Sequence, residues 1–318
     1  MISVMSIPHV SLDDVTAAAT RIGPYIHRTP IATSATLDAK LGASIFFKLE
    51  SQQKIGAFKA RGAVNAVFQL DEEAAQRGVV THSSGNHGQA LAYAAALRGL
   101  ACTVVVPDDA PDVKVAAMRG YGADIVLTGY ADRAATMDRV QAESGATVVH
   151  PFNDVAVIAG QGTASLELLD QVSDLDIVVA PVGGGGLMSG TVVTIRSSSP
   201  RTRIVGAEPE RVDDAIRSLA SGVIQPATGK PTLADGLRTS LGDLTFDILS
   251  AGKVEIVTVS EDAIVAAARF HLFRMKHLVE PSGATGLAVV HQMGAQLAGK
   301  RVGVIVSGGN TDLSWLER

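Results

Sequence analysis

Residues 48–62 read Lys48-Leu49-Glu50-Ser51-Gln52-Gln53-Lys54-Ile55-Gly56-Ala57-Phe58-Lys59-Ala60-Arg61-Gly62, and the fold turns on how they are read. The apolar run Ile45 to Leu49 predicts a strand. A polar turn and Gly56 follow, and Lys59 then opens an Ala- and Val-rich helical pattern over 59–69. A lysine between Phe58 and Ala60 admits two readings. It is a helix-start lysine whose stem covers apolar surface while its amine reaches water. Otherwise it is a partly desolvated amine that loses its proton readily and becomes a nucleophile toward an aldehyde. The stretch alone leaves both open.

Four glycine-rich stretches downstream change the weighting: Ser83-Ser84-Gly85-Asn86-His87-Gly88, Gly183-Gly184-Gly185-Gly186, Glu280-Pro281-Ser282-Gly283 and Ser307-Gly308-Gly309-Asn310. Each is expected where a strand ends, the edge at which open α/β sheets bind ligands. Taken in order with Lys59, they resemble the fold-type II pyridoxal-phosphate enzymes, in the branch of serine/threonine dehydratases, serine racemases and 3-hydroxyaspartate dehydratases. The resemblance runs from Arg28-Thr29-Pro30 to Asn310. It implies a tryptophan synthase β-like α/β fold with a large and a small open parallel-sheet domain.

The rest of the chain fits that frame. Ser11-Leu12-Asp13-Asp14 reads as a capped helix start, with the helix stopped at Gly23-Pro24. From Asp71 the rhythm is strand–helix–strand, with short strands at 79–81, 101–106, 124–127 and 147–149. Residues 71–149 are therefore expected to form a small parallel domain inserted between the halves of a large one, residues 1–70 and 150–318. The large half resumes with a helix over 158–170, a doubly buried strand at 176–180, and strands at 203–207, 254–259 and 302–306. Helices are expected over 187–196, 260–275 and 286–297, and the Gly-, Pro- and Thr-rich stretch 222–236 is expected to wrap the surface.

Composition narrows the class. At 318 residues the chain is long enough for two domains. With 27 Lys+Arg against 32 Asp+Glu it lacks the basic footprint of a nucleic-acid partner. The start lacks the charged-then-apolar order of a signal peptide, and apolar runs are broken well short of a membrane span, so a cytoplasmic protein is expected. The single cysteine, Cys102, lies in an apolar strand pattern and reads as a buried space-filling thiol.

The resemblance assigns roles residue by residue. Lys59 is implied as the lysine that holds pyridoxal 5′-phosphate through an imine and moves the substrate's α-proton, with Phe58 beside it. Gly183 to Gly186, followed by an apolar helix from Leu187, can aim backbone N–H groups at a phosphate. A turn needing positive φ is the plainer account, but four consecutive glycines cost more backbone entropy than a turn justifies. Asn86 is implied to meet the cofactor's 3′ oxygen. Ser83, Ser84, Gly85 and His87 are implied to form the loop that receives the substrate carboxylate, although His87 also suits a helix-start cap. Ser307 is implied to face the pyridine nitrogen, supported by Asn310 and Gly309. A hydroxyl there leaves that nitrogen unprotonated, and the weaker electron sink suits β-elimination better than transamination. Glu280 is implied at the same cofactor edge, or else caps the Pro281-Ser282-Gly283 turn. His82 is assigned no chemistry.

Glu208, Asp214 and the carbonyl of Val212 match the divalent-cation site of metal-activated members, where oxygen ligands suit Mg²⁺, Ca²⁺ or Mn²⁺. Two helix and strand caps are the plainer account. Substrate choice is divided. Ala57 before Phe58-Lys59 resembles 3-hydroxyaspartate dehydratases and some microbial racemases. Arg133 matches an arginine of the same branch and suits a second carboxylate, or is a solvated helix residue. Phe152 in Pro151-Phe152-Asn153-Asp154 is closer to threonine dehydratases. Ser84 is the residue that in racemases protonates the opposite substrate face, or is simply a small loop residue. L-Serine and L-threonine dehydration stands first, then 3-hydroxyaspartate dehydration, then serine racemisation with side dehydration. The resembled enzymes are commonly homodimers. A non-catalytic sensor on the same fold is the reading from another class.

Overall fold

The computed structural model describes residues 7–108, 110 and 112–317. Its strands are β1 (Ile31–Ala32), β2 (Ser44–Leu49), β3 (Val79–His82), β4 (Cys102–Pro107), β5 (Asp124–Thr128), β6 (Thr147–Val148), β7 (Ile177–Pro181), β8 (Arg203–Pro209), β9 (Glu255–Val259) and β10 (Arg301–Val306). The helices are α1 (Leu12–Ile22), α2 (Ala35–Leu41), α3 (Lys59–Gln69), α4 (Glu72–Arg77), α5 (Asn86–Arg98), α6 (Asp112–Gly120) and α7 (Arg133–Ser144). They continue with α8 (Val155–Gln171), α9 (Gly186–Ser198), α10 (Asp214–Ser221), α11 (Asp243–Ala251), α12 (Glu261–Phe270) and α13 (Pro281–Met293).

The strands form two sheets. One is six-stranded in the order β1-β2-β10-β7-β8-β9, parallel apart from β1 at its edge. The other is four-stranded and parallel in the order β5-β4-β3-β6. Val, Ile and Ala fill β7, whose every residue is buried, as a parallel strand covered on both faces requires. Because β2, β7 and β10 run the same way, the segments that leave them, Glu50 onward, Val182 onward and Ser307 onward, emerge along one edge. That edge carries the ligand loops.

Local chemistry sets the helix ends. Ser11 caps α1 in a capping box with Asp14, whose N–H donates to Ser11 Oγ at 3.3 Å while Ser11 N–H donates to Asp14 Oδ2 at 2.9 Å. Helix α3 faces two ways. Its Ala63, Val64 and Val67 join the core under the four-stranded sheet, together with Val79, Leu91, Val104 and Val157 of α8. Its first two turns meet α8 at backbone distance, since a Cβ on Gly160 would lie 2.6 Å from Arg61 O. Helices α8 and α9 cross as tightly: a Cβ on Gly190 would stand 2.4 Å from Gly162 N. Backbone cannot yield as a side chain can. Gly190→Ala is therefore expected to cost about 1–3 kcal/mol by overpacking, read as a lowered melting temperature.

Four charges meet where α3 and α8 pack near the end of β2. Arg61, fully buried, donates through Nε and Nη2 to Glu50 at 2.7 and 2.8 Å and through Nη1 and Nη2 to Glu167 at 2.8 and 2.9 Å. Lys48 Nζ donates to Glu167 Oε2 at 2.6 Å, to Gln171 Oε1 and to Thr29 O. Two cations and two carboxylates thus close on one another, with Thr29 Oγ1 donating to Glu50 Oε1 at 2.6 Å.

Some expectations need correction. Glu280-Pro281-Ser282-Gly283 does not follow a strand; it opens α13, five residues before the expected start, with Pro281 at the first turn, where its missing N–H costs nothing. The helix after β9 ends at Phe270 and passes into a π-helical turn, His271–Met275. Helices α2 and α11 and the two-residue β1 were not expected. The stretch 222–236 does more than wrap the surface, because Ala234 is fully buried and Asp235 and Gly236 reach the cavity described next.

Candidate active site

A cavity of about 230 Å³ lies at the shared strand edge, between the two sheets. Lys59, the first residue of α3, lines it. Its amine donates to Pro151 O at 2.6 Å, and burial pulls its pKa from the usual lysine range down to about 8. The backbone that delivers it is pinned to β10's exit: Phe58 N donates to Ser307 O at 3.0 Å and Ala57 bridges Gly308. Gly56 makes the turn possible, since it sits at φ +73° with a Cβ position 2.5 Å from Asn310 Oδ1.

Gly183 to Gly186 face Lys59 across the cavity and lead into α9, whose first N–H groups have no acceptor within the helix. Their backs are packed. A Cβ on Gly184 would penetrate the Phe152 ring, one on Gly186 would meet Phe152 Cβ, and Gly185 stands at φ +89° against Thr245. Thr245 Oγ1 donates to Gly184 O at 2.8 Å. The loop is glycine on grounds of folding as well as of ligand approach, more so than the sequence suggested, and it is preset as an anion cradle.

Ser83, Ser84 and Gly85 join the end of β3 to α5 and line the cavity with Asn86 and His87. Ser83 Oγ accepts from Gly85 N at 3.2 Å. His87 caps nothing: its Nε2 donates to Val149 O at 2.9 Å, and burial holds its pKa well below the usual histidine range. Nε2 carries the proton, so buried Nδ1 is a bare acceptor with no partner among the described residues. Asn86 Nδ2 donates to Glu280 Oε1 at 2.9 Å, and Asn310 Nδ2 donates to Asn86 Oδ1 at 2.8 Å and to Ile55 O at 2.7 Å. Asn310 therefore stands behind the wall, holding Asn86. Burial, reinforced by Asp235, pushes Glu280 up to about 8.

Phe58, Leu187, Glu280, Ser307 and Arg133 complete the expected lining, with Arg133 opening α7. Sequence reasoning missed Lys114, Asp235, Thr239 and Ser282, and gave no role to His82, which also lines the cavity. His150 sits behind, its Nδ1 accepting from Asn153 N at 2.9 Å, and burial with His82 and Lys59 nearby lowers it to about 4.

Glu208, Val212 and Asp214 lie outside this cavity. Glu208 accepts the N–H groups of Ala215 and Ile216 at 2.7 and 3.1 Å, capping α10. Asp214 is buried, and among the described residues neither carboxylate oxygen has a well-formed hydrogen bond, although the backbone of Leu241 lies near. Burial pushes Glu208 up to about 8 and Asp214 up to about 7. An orphaned buried carboxylate beside a second one fits a cation. Among the described residues, however, no three His, Cys, Asp or Glu side chains gather as a metal-binding group.

A buried low-pKa amine facing a glycine cradle across the ends of parallel strands defines an α/β enzyme site for a phosphate-bearing aldehyde cofactor. Residues 22–308 match the family described as "Pyridoxal-phosphate dependent enzyme", and the chain belongs to that family, with the fold-type II architecture. It is 49% identical over 306 residues to the beta-hydroxyaspartate dehydratase of Paracoccus denitrificans, covering 96% of this chain and 97% of that one. It is 48% identical over 316 residues to the serine racemase of Dictyostelium discoideum, covering 97% of each. Among solved structures, the T.th. threonine deaminase superposes with a TM-score of 0.91 at 45% identity, over 96% of this chain and 99% of that one. Among the described residues no helix is long and apolar enough to cross a membrane.

Proposed function

We propose that this enzyme eliminates water from L-serine and L-threonine, and that the released enamine then takes a water back and loses ammonia, giving pyruvate and 2-oxobutanoate. The observation that carries the reading is Lys59, a buried amine with its pKa near 8, opposite the glycine cradle and beside Ser307. Lys59, Gly183–Gly186, Asn86 and Ser307 would hold pyridoxal 5′-phosphate, which when bound supplies an electron sink for the charge left by the departing α-proton. Lys59 is the base for that proton, because its lowered pKa keeps a fraction of the amine neutral at pH 7. The Ser83–His87 loop takes the substrate carboxylate at the positive end of α5. Ser84 sits in the same wall as a hydroxyl able to pass a proton to the substrate. Glu280, kept largely protonated by burial, brings little negative charge to the Asn86 edge, where its Oε1 accepts from Asn86 Nδ2. The test is release of keto acid and ammonia from L-serine and L-threonine by cofactor-loaded protein; absence of keto acid from both overturns the reading.

A second reading, 3-hydroxyaspartate dehydration, is favoured by Arg133 in the cavity wall and by the likeness to the Paracoccus enzyme. Arg133→Ala is expected to lower kcat/KM for 3-hydroxyaspartate by roughly tenfold to a hundredfold, the worth of a charged hydrogen-bond pair, while serine turnover changes little. Equal losses on both substrates would remove the distal-carboxylate role. Serine racemisation through Ser84 stands third, read by D-serine formation. We also propose that Glu208, Asp214 and the Val212 carbonyl hold an activating Mg²⁺. Residues 71–149 would form a small domain inserted between the two halves of the large one, 1–70 and 150–318, and the chain would work as a cytoplasmic homodimer.

A further inference from the structure

Lys114 and Asp235 enter the cavity from opposite sides and meet there as an ion pair. Lys114 comes from α6, beside the four-stranded sheet. Asp235 opens the short turn Asp235–Leu237, which lies against the glycine loop. That turn is pinned. Gly236 N donates to Ser282 Oγ at 3.0 Å, and a Cβ on Gly183 would lie 2.9 Å from Leu237 Cα. Asp235 is therefore a fixed point, and Lys114 is the flexible partner.

The other side of Lys114 matters more. Its Nζ stands 3.7 Å from the Cβ position of Gly85, the residue that precedes the first turn of α5. The ammonium is thus set directly over the Ser83–His87 loop. Helix α5 has no side-chain cap, so its first N–H groups and Lys114 point positive potential at the same spot. His87, buried on that first turn, adds an unpartnered Nδ1 acceptor, so the pocket wall offers positive charge for an anion and a lone pair for a ligand's donor. An amino acid carries both kinds of group.

The ion pair is poorly suited to a purely structural role. Its acid side chain is 46% exposed and its lysine 18%, and pairs open to water contribute little net stability. A lysine ammonium is a point charge with three rotatable donors, able to turn from one carboxylate to another without moving its stem far.

We propose that Lys114 is a substrate-binding residue, which supplies the counter-charge for the amino acid's α-carboxylate and is held over the Ser83–His87 loop by Asp235 until the substrate arrives. The proposal rests on the reading of that loop as the carboxylate site. Binding exchanges one ionic partner for another, and no bond is made or broken.

The experiment measures two quantities on cofactor-loaded protein: calorimetric affinity for propanoate, a carboxylate without an amine, and KM and kcat for L-serine. Lys114→Gln is expected to weaken propanoate about tenfold and raise KM by a similar factor, with kcat changing less than about twofold. Lys114→Arg, which keeps the charge, is expected to recover most of both losses. An unchanged propanoate affinity and KM in Lys114→Gln overturns the proposal, as does wild-type protein that binds no propanoate. An arginine variant as impaired as the glutamine one also overturns it, because it makes the lysine a structural tie. Wild-type protein that binds propanoate through Lys114 yet turns over no β-hydroxy amino acid would sink the lyase reading alone and leave Lys114 in its role.

Discussion

Lys59→Ala is expected to lose roughly 10³-fold or more of turnover and the visible absorbance of bound pyridoxal phosphate. General-base removal alone is worth about 10²–10⁴-fold, and here the same amine also anchors the cofactor. Lys59→Arg should fare no better, since a guanidinium stays protonated and cannot act as base or nucleophile. In cofactor-free wild-type protein the capture of pyridoxal phosphate should speed up as pH rises and level off above about 8, because the neutral amine reacts and burial has lowered its pKa to that value. An ordinary lysine would not level until about pH 10.4. Stopped-flow absorbance across pH 6–10 checks both points, and a variant at Lys59 with full turnover would refute the assignment.

The second large effect is on stability. Arg61→Met is expected to cost about 3–5 kcal/mol, because it strands Glu50 fully buried with Thr29 as its remaining side-chain donor. Against a typical total of about 5–15 kcal/mol, that threatens folding at ordinary temperatures. The double variant Glu50→Gln/Arg61→Met should recover part of the loss, since the uncompensated charge, more than the lost pair, carries the penalty. Thermal melting by circular dichroism reads both variants. An Arg61→Met protein melting within a degree or two of the parent would show that Glu50 finds another partner.

Much of this molecule is legible in short local patterns. The boundaries of α3 at Lys59 and Gln69 follow from its apolar run, and those of α1 from Ser11, Asp14 and Gly23-Pro24. The glycine stretches announced their place because close backbone approach leaves a local mark. What stayed hidden was either too short or too distributed. Helix α2 is seven residues long, yet Ser34, whose Oγ accepts from Leu37 N, and Gly42 at φ +63° bracket it as readable cap signals. Glu280-Pro281 looked like a turn because proline is a breaker inside helices but a starter at their first turn. Lys114 and Asp235 belong to no motif; one is a surface-like lysine on an amphipathic helix, the other follows a Gly- and Pro-rich run, and only the tertiary fold makes them neighbours. Arg61 and Glu167 are likewise about a hundred residues apart in sequence, and nothing local marks either as buried.

The position of β10 has a consequence for how the protein comes to exist on the ribosome. This last strand lies between β2 and β7, with Arg301 beside Ser44 and Val302 beside Ile177. The four-stranded sheet, from Val79 to Val148, can pair as soon as its own residues have emerged. The six-stranded sheet cannot, because β10, inside it, is made after every other strand of that sheet. Until then β2 and β7 each expose an unpaired hydrophobic edge, the kind of surface that invites aggregation and attracts chaperones. Ser307, one residue past that strand, reaches Phe58 N only after all the strands before it have been made. Lys59 is thus seated, and able to meet its cofactor, only once the chain has been made as far as Ser307.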